Sequence, residues 1–240
     1  MPIPQIKHRF YWKYGKRVFD LFFATAGLLL LSPVFVLIAF AIRFSSPGPV
    51  FFAQERIGKG GKVFRVLKFR SMVPGAARTG PDITSSGDSR VTPIGKHLRR
   101  WKLDELPQLC NVFKGEMSLV GPRPELPSYV RNYTPEQAEV LSVRPGITDW
   151  AAIEYRHEEQ LLASSSDVAR FYTEVILPHK LSLNRFYIEK LSLSQDLKLI
   201  LQTLRVLPAT GAAGKATAYA RHSCSNSNPE PRENLPKIPK

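Results

Sequence analysis

The sequence predicts an α+β fold: a mostly helical, compact domain with a short β-hairpin, a re-entrant N-terminal membrane helix and interfacial amphipathic helices. Three observations carry this. No charged side chain occurs in the 22 residues from Leu21 to Ile42. Two short runs rich in aromatic and β-branched residues flank a glycine cluster. Beyond them, apolar residues recur at helical spacing between charges.

A chain of 240 residues suits one domain with appendages, and a 43% apolar share excludes global disorder. Lys and Arg number 34 against 20 Asp and Glu, a formal charge of +14 that calls for an anionic partner or surface. The basic residues are dispersed and form no helix-turn-helix or RNP-like motif, so nucleic acid is not the expected partner. Cys110 and Cys224 have neither a disulfide framework nor CxxC spacing, which fits a reducing compartment without a zinc site.

Residues 1–17 form a basic segment with Lys7, Arg9, Lys13, Lys16 and Arg17 and no acid. Residues 18–44 follow as the membrane helix. At about 1.5 Å per residue the apolar run covers a hydrocarbon core of roughly 30 Å. Core helices of soluble proteins are seldom apolar on every face for so long. The exit Arg43-Phe44-Ser45-Ser46-Pro47-Gly48 offers no cleavage site of signal-peptide type, so the segment is expected to stay as an anchor. Arg43, Arg56, Lys59, Lys62 and Arg65 make the second flank basic as well, which places both flanks on the cytoplasmic side. Ser32-Pro33 removes a backbone donor in mid-run, so a helix that bends there and returns to the same face satisfies both flanks. An ordinary kinked spanning helix is the alternative. Asp20, costly beside the apolar run, is expected to pair with a nearby basic residue.

Residues 45–208 read as the main domain. Val50–Gln54 and Val63–Phe69 suit a hairpin turning at Gly58-Lys59-Gly60-Gly61. Residues 74–93 read as an irregular loop. Ile94–Phe113 has helical spacing, and Pro107 favours a helix start or break beside Asp104-Glu105. Met117–Val120 reads as a buried strand, and helices are expected near Pro135–Ser142 and Asp167–Leu177. Leu191–Leu207 places Leu193, Leu197, Ile200, Leu201 and Leu204 apart from Lys190, Lys198 and Arg205. That profile suits an interfacial helix or, equally, one packed on the domain. Residues 209–240, rich in Ala, Gly, Ser, Asn and Pro, are expected to be disordered.

The densest polar constellation is Arg99-Arg100-Trp101-Lys102-Leu103-Asp104-Glu105-Leu106, followed by Gly121-Pro122-Arg123-Pro124. Adjacent acids on a helix diverge by about 100° and in isolation read as a solvated surface pair. Here, though, they lie among cations expected to lower their pKa values and hold them ionised. Arginine suits phosphate oxygens, and a rigid Pro-Arg-Pro turn presets one such clamp.

Taken together, the chain resembles the bacterial sugar transferases that act as monotopic polyprenyl-phosphate phosphoglycosyl transferases. The resemblance runs from Lys16 to Leu207. It rests on Lys16-Arg17-Val18-Phe19-Asp20, Ser32-Pro33, Pro47-Gly48-Pro49-Val50-Phe51 and Lys68-Phe69-Arg70-Ser71-Met72. It continues through Leu103-Asp104-Glu105-Leu106-Pro107-Gln108-Leu109, Met117–Pro124 and Arg144-Pro145-Gly146-Ile147-Thr148. Where many members continue Gly-Trp-Ala-Gln-Val-Asn-Gly-Arg, this chain reads Asp149-Trp150-Ala151-Ala152-Ile153-Glu154-Tyr155-Arg156.

The resemblance implies transfer of a sugar 1-phosphate from a UDP-sugar to polyprenyl phosphate with release of UMP, as the first step of glycoconjugate assembly. It implies Asp104 as nucleophile, Glu105 as its catalytic neighbour, and Mg²⁺ held by Asp104 and Glu105. It further implies Arg123, framed by Pro122 and Pro124, with Arg99, Arg144 and Lys68, as substrate contacts. Lys16, Arg17, Asp20, Ser32 and Pro33 are implied as membrane-anchor residues. The expected setting is the cytoplasmic face of a bacterial inner membrane, with a homodimer left open. An inactive membrane scaffold of polysaccharide assembly is the alternative.

Overall fold

The described residues open on a long helix that breaks where proline removes a donor. A computed structural model of the chain describes residues 10–80, 83, 84, 86–163, 165 and 167–206. The expected disordered tail and the first nine residues of the basic segment lie outside them. A π-type turn over Tyr11–Gly15 runs into α1 (Lys16–Leu30), and α2 (Ser32–Ser45) leaves at a bend of 60°. Pro33 has no N–H to offer the Leu29 carbonyl, and the Ser32 hydroxyl donates to that carbonyl instead at 2.8 Å. Among the described residues no single helix is long and apolar enough to cross a membrane, whereas this bent pair passes by length and composition.

One face of each arm packs on the domain. Ala24 joins Val66, Leu109, Val112 and Met117, while Ile38 and Ile42 join Phe69 and Leu98. The other faces expose Val18, Phe22, Leu30, Leu37, Phe40 and Phe44.

The hairpin forms as expected and is longer in its first strand. β1 (Phe51–Ile57) pairs antiparallel with β2 (Val63–Phe69), and the turn needs positive φ at Gly60 and Gly61. Within the expected loop, α3 (Ala76–Thr79) forms a single turn. α4 (Pro93–Arg100) is capped by Thr92, whose hydroxyl accepts the Gly95 N–H at 3.0 Å. The helix expected to run from Ile94 breaks earlier than Pro107, because Lys102 adopts φ 54°. A 3₁₀ turn (Leu103–Glu105) then leads into α5 (Gln108–Lys114). The Asn111 amide caps the edge of β2, accepting from Leu67 N at 2.9 Å and donating to the Arg65 carbonyl at 2.7 Å.

β3 (Ser118–Val120) lies parallel to β4 (Gly146–Thr148), with α6 (Pro127–Val130) and a 3₁₀ stretch (Gln137–Ser142) between them. The helix expected at Pro135–Ser142 is therefore the tighter form. Glycine is required where these strands end: a Cβ on Gly146 would strike the Gly121 backbone. The short helices α7 (Trp150–Glu154), α8 (Glu158–Leu162) and α9 (Val168–Phe171) follow, then a π turn (Tyr172–Ile176), α10 (Leu177–Glu189) and α11 (Leu193–Val206). Their buried residues, among them Leu162, Ile176, Tyr187, Ile188, Leu191 and Leu199, form the largest core.

Polar groups weld α1 to this core. Asp196, fully buried, accepts from Lys16 Nζ at 2.6 Å, Tyr11 OH at 2.7 Å and Tyr187 OH at 2.6 Å. The Asp20 carboxylate is also fully buried and accepts from Ser118 Oγ and Leu119 N, each at 3.0 Å. The basic neighbour expected for Asp20 is Lys16, which favours its carboxylate by charge and not by a hydrogen bond. The lysine one turn earlier is committed to Asp196, and β3 supplies the donors instead. Arg17 donates to the Val112 and Phe113 carbonyls at the end of α5, where a cation also meets the helix dipole.

Asp196→Ala leaves the buried Lys16 ammonium without its hydrogen-bonded carboxylate, so we expect about 3 kcal/mol of destabilisation. Lys16→Met should restore part of that loss in the double variant. Thermal melts of the full chain in nanodiscs check the order: wild type highest, double variant next, Asp196→Ala lowest.

Candidate active site

Asp104 and Glu105 sit on the 3₁₀ turn that follows the left-handed residue Lys102. Non-glycine residues pay for that conformation, and here it turns the chain sharply enough to bury both acids. The dyad is not a solvated surface pair.

The two carboxylates have opposite surroundings. Glu105 Oε1 accepts from Arg123 Nη2 at 2.6 Å and from Lys68 Nζ at 3.1 Å, and Oε2 accepts from Arg123 Nη1 at 3.3 Å. Arg123, Lys68 and Lys102 outweigh the effect of burial and hold the Glu105 carboxyl well below the usual range. In turn Glu105 pushes the Arg123 guanidinium up, while burial pushes the Lys68 ammonium down. Asp104 has no such clamp. Its Oδ1 is buried without a hydrogen-bond partner. Burial, then the neighbouring Glu105 charge, push its carboxyl up, against the pull of Lys68, Lys102 and Arg99. The expectation that cations lower both acids therefore holds for Glu105 and is corrected for Asp104.

Arg123 reaches Glu105 from the turn after β3. Its N–H donates to Asp149 Oδ2 at 3.0 Å, and the other oxygen of Asp149 accepts from Ala152 N and caps α7. Pro122 receives the Gly146 N–H on its carbonyl at 2.9 Å, and the Pro124 carbonyl receives Arg56 Nη1 at 3.4 Å. Lys68, Arg123, Pro122 and Pro124 thus belong to one constellation with the dyad.

Two expected contacts point elsewhere. Arg99 donates to Glu159 at 2.7 Å and acts on Asp104 only through its field. Arg144 donates to the Gly115 carbonyl at 2.9 Å and has Lys59 as a like-charged neighbour.

Sequence reasoning missed Arg56, Glu125 and Asp149. Arg56 Nη1 lies 3.7 Å from Glu125 Oε2, and Tyr172 OH donates to Glu125 Oε1 at 2.8 Å. Burial pushes the Arg56 guanidinium down, Glu125 opposes this, and Arg123 adds to it. Arg56 sits on a hairpin strand with no local sign of a long-range partner. For Asp149 there was a signal, its place just before a short helix, which is that of a capping residue.

Among the described residues no three His, Cys, Asp or Glu side chains form a metal-binding group. Mg²⁺ needs less, since it commonly takes one or two carboxylates and completes its shell with water and substrate phosphates. The unpartnered Asp104 Oδ1 fits such a ligand. Glu105, engaged by two cations, is the neighbouring acid of that set.

A model of the bacterial sugar transferase family matches residues 11–209, and the chain belongs to that family. Three relatives illustrate its range. The chain is 37% identical over 199 residues to a UDP-N-acetylgalactosamine-undecaprenyl-phosphate N-acetylgalactosaminephosphotransferase of Aeromonas hydrophila, covering 82% of this chain and 44% of that protein. It is 38% identical over 203 residues to a UDP-glucose:undecaprenyl-phosphate glucose-1-phosphate transferase of Caulobacter vibrioides, covering 82% and 71% respectively. A protein of the same name from Escherichia coli is 39% identical over 193 residues, covering 79% of this chain and 39% of that protein. The chain therefore spans less than half the length of the Aeromonas and Escherichia relatives.

The raised Asp104 pKa has a stability consequence. A carboxyl shifted up by folding favours the fold below its unfolded pKa, and that contribution is lost as pH rises through the folded pKa. A neutral replacement avoids that loss, so Asp104→Asn should melt higher than the wild type above the folded pKa. The difference should shrink as pH falls, which parallel melts at pH 4 and 7.5 would read.

Proposed function

We propose that this chain transfers a sugar 1-phosphate from a UDP-sugar to undecaprenyl phosphate, through a phosphosugar intermediate on Asp104. One observation carries the reading: a buried aspartate oxygen without a partner adjoins a glutamate clamped by Arg123 and Lys68. The relatives' names supply the substrate classes, a UDP-sugar and undecaprenyl phosphate.

In the first displacement an Asp104 oxygen bonds to the sugar-bearing phosphorus, and the bond from that phosphorus to the bridging oxygen breaks. UMP departs with the electron pair. In the second, an oxygen of the lipid phosphate bonds to the same phosphorus, and the bond to Asp104 breaks. The product is a polyprenyl diphosphate sugar, and the carboxylate is restored. Splitting the transfer lets a water-soluble donor and a lipid acceptor use one small site in turn. Arg123 and Lys68 hold Glu105 ionised and sit where phosphate charge would lie. Mg²⁺ bound at Asp104 with Glu105 beside it would neutralise pyrophosphate charge.

The same reading puts the bent pair α1–α2 into the bilayer as a re-entrant anchor. The exposed apolar faces of both arms and the exposed stripe Leu193, Leu197, Leu201 and Leu204 on α11 support it. Basic flanks on both sides of the pair favour the cytoplasmic face of the inner membrane. The reaction would open the assembly of a surface polysaccharide or a related glycoconjugate.

Two measurements test the chemistry. Given a UDP-sugar without lipid, the enzyme should gain one sugar-phosphate mass on the peptide containing Asp104, and Asp104→Asn should gain none and release no UMP. An adduct on Glu105, or a turning-over Asp104→Asn enzyme, would overturn the assignment.

The pH profile is the second. Since ionised Asp104 is the nucleophile and its carboxyl is pushed up, the acid limb of kcat/KM should lie above the range of a free aspartate, about 3.9. Lys68→Met removes a cation that lowers Asp104, so the limb should move further up. A limb that stays in place would separate Lys68 from the nucleophile.

A further inference from the structure

Asp149 is a buried acid beside the site that neither step uses. Its side chain is fully buried, and its two oxygens serve different elements. Oδ2 accepts the Arg123 N–H, and Oδ1 accepts the Ala152 N–H at the start of α7. The rest of the Arg123 turn is held from the same strand, by Gly121 N to the Thr148 carbonyl at 3.0 Å and Gly146 N to the Pro122 carbonyl at 2.9 Å. Gly121 and Gly146 approach so closely that neither could carry a side chain. The backbone of Arg123 is thus fixed from β4 and its extension, with Asp149 as the final tie.

A carboxylate costs more to bury than a neutral cap, so capping α7 alone does not explain it. Serine or asparagine at the same place would cap the helix without a buried charge. What the second oxygen adds is an acceptor for the N–H of the residue whose guanidinium forks onto Glu105.

We propose that Asp149 is a positioning residue for the transfer, acting on Arg123 through its main-chain N–H and through the charge facing its guanidinium to set the Glu105–Arg123 fork. Its hydrogen bonds go to Arg123 and Ala152 and not to the dyad. The specific content is that α7 and the site are coupled through this one side chain. Changes along Trp150–Tyr155 should therefore reach the sugar phosphate through Arg123. The kinetic part of the inference rests on the transferase reading, and the structural part does not.

The test uses the full chain in nanodiscs and two variants. Asp149→Ser keeps a capping oxygen for α7 but lacks the second oxygen, while Asp149→Asn keeps the shape and turns one acceptor into a donor. In thermal melts, a double-mutant cycle between Arg123→Ala and Glu105→Gln measures the coupling of the fork without any turnover. That coupling should fall by at least half in the Asp149→Ser protein. In kinetics, Asp149→Ser and Asp149→Asn should each lower kcat/KM for the UDP-sugar at least tenfold. In the Arg123→Ala background the same changes should cost less than twofold.

An undiminished fork coupling, or an equal kinetic loss with and without Arg123, would overturn the proposal and leave Asp149 a structural cap. If wild type releases no UMP from any UDP-sugar, the transferase reading fails while the melting cycle still decides the role of Asp149. If Asp149→Ser does not fold, Asp149→Asn carries both arms.

Discussion

Burying two carboxylates where the bent helix pair meets the domain is the constraint on which the rest of the structure depends. Asp20 and Asp196 are both fully buried, and donors reach both oxygens of Asp196 and Oδ1 of Asp20, while Asp20 Oδ2 has no hydrogen-bond partner. Those donors come from distant parts of the chain: Lys16 and Tyr11 from the start, Ser118 and Leu119 from β3, and Tyr187 from α10. Each acid therefore fixes the relation of α1 to a different wall of the core. With α1 fixed, the 60° bend aims α2 along the outside of the domain. Ile38 and Ile42 then pack on Phe69 and Leu98, with Leu103 and Leu106 beside them. Leu103 and Leu106 bracket the dyad, and Lys68 precedes Phe69. The far arm of the bent pair thus forms the floor beneath the candidate site.

On that floor the dyad separates two electrostatic roles that composition alone would merge. Adjacent acids in one basic segment face the same net charge, yet the fork from Arg123 and the ammonium of Lys68 both choose Glu105. Glu105 becomes the group held in its ionised form, its two oxygens accepting three hydrogen bonds. Asp104 keeps a free oxygen and a raised pKa, and the cations nearby act on it through space. Sites commonly place paired groups so that their pKa values diverge, because a reacting group must stay available while its neighbour holds charge.

How much of this could be read from residues follows from the range of each interaction. The hairpin and the break at Ser32-Pro33 are set within a few positions, and the sequence is explicit about them. The dyad and Arg123 were legible through motif resemblance, since nothing local links positions 105 and 123. What escaped was long-range. Nothing in Met117–Val120 says that it will lie parallel to Gly146–Thr148, and nothing around Asp20 names Ser118. The direction of the Asp104 shift escaped for a related reason. Charge counting sees the neighbouring Lys and Arg, but burial depends on the left-handed turn at Lys102 and the floor beneath it. Arg99 shows the same limit from the other side, because a motif arginine beside the dyad spends its guanidinium on Glu159.

The proposed route suits this architecture for a reason beyond the choice of nucleophile. A direct displacement would require the nucleotide sugar and the lipid phosphate to occupy the site together. Two clusters of phosphate charge would then compete for Arg123 and Lys68, both already engaged by Glu105. In the two-step route each cluster meets those groups alone, and the transferred phosphoryl stays on Asp104 between visits. The cation set need not move, since Glu105, Asp149 and the close-packed glycines hold its largest member in place throughout. Rigidity at Arg123 and an uncommitted oxygen at Asp104 are therefore complementary demands of one mechanism. They also explain why the two acids, though adjacent, are not interchangeable.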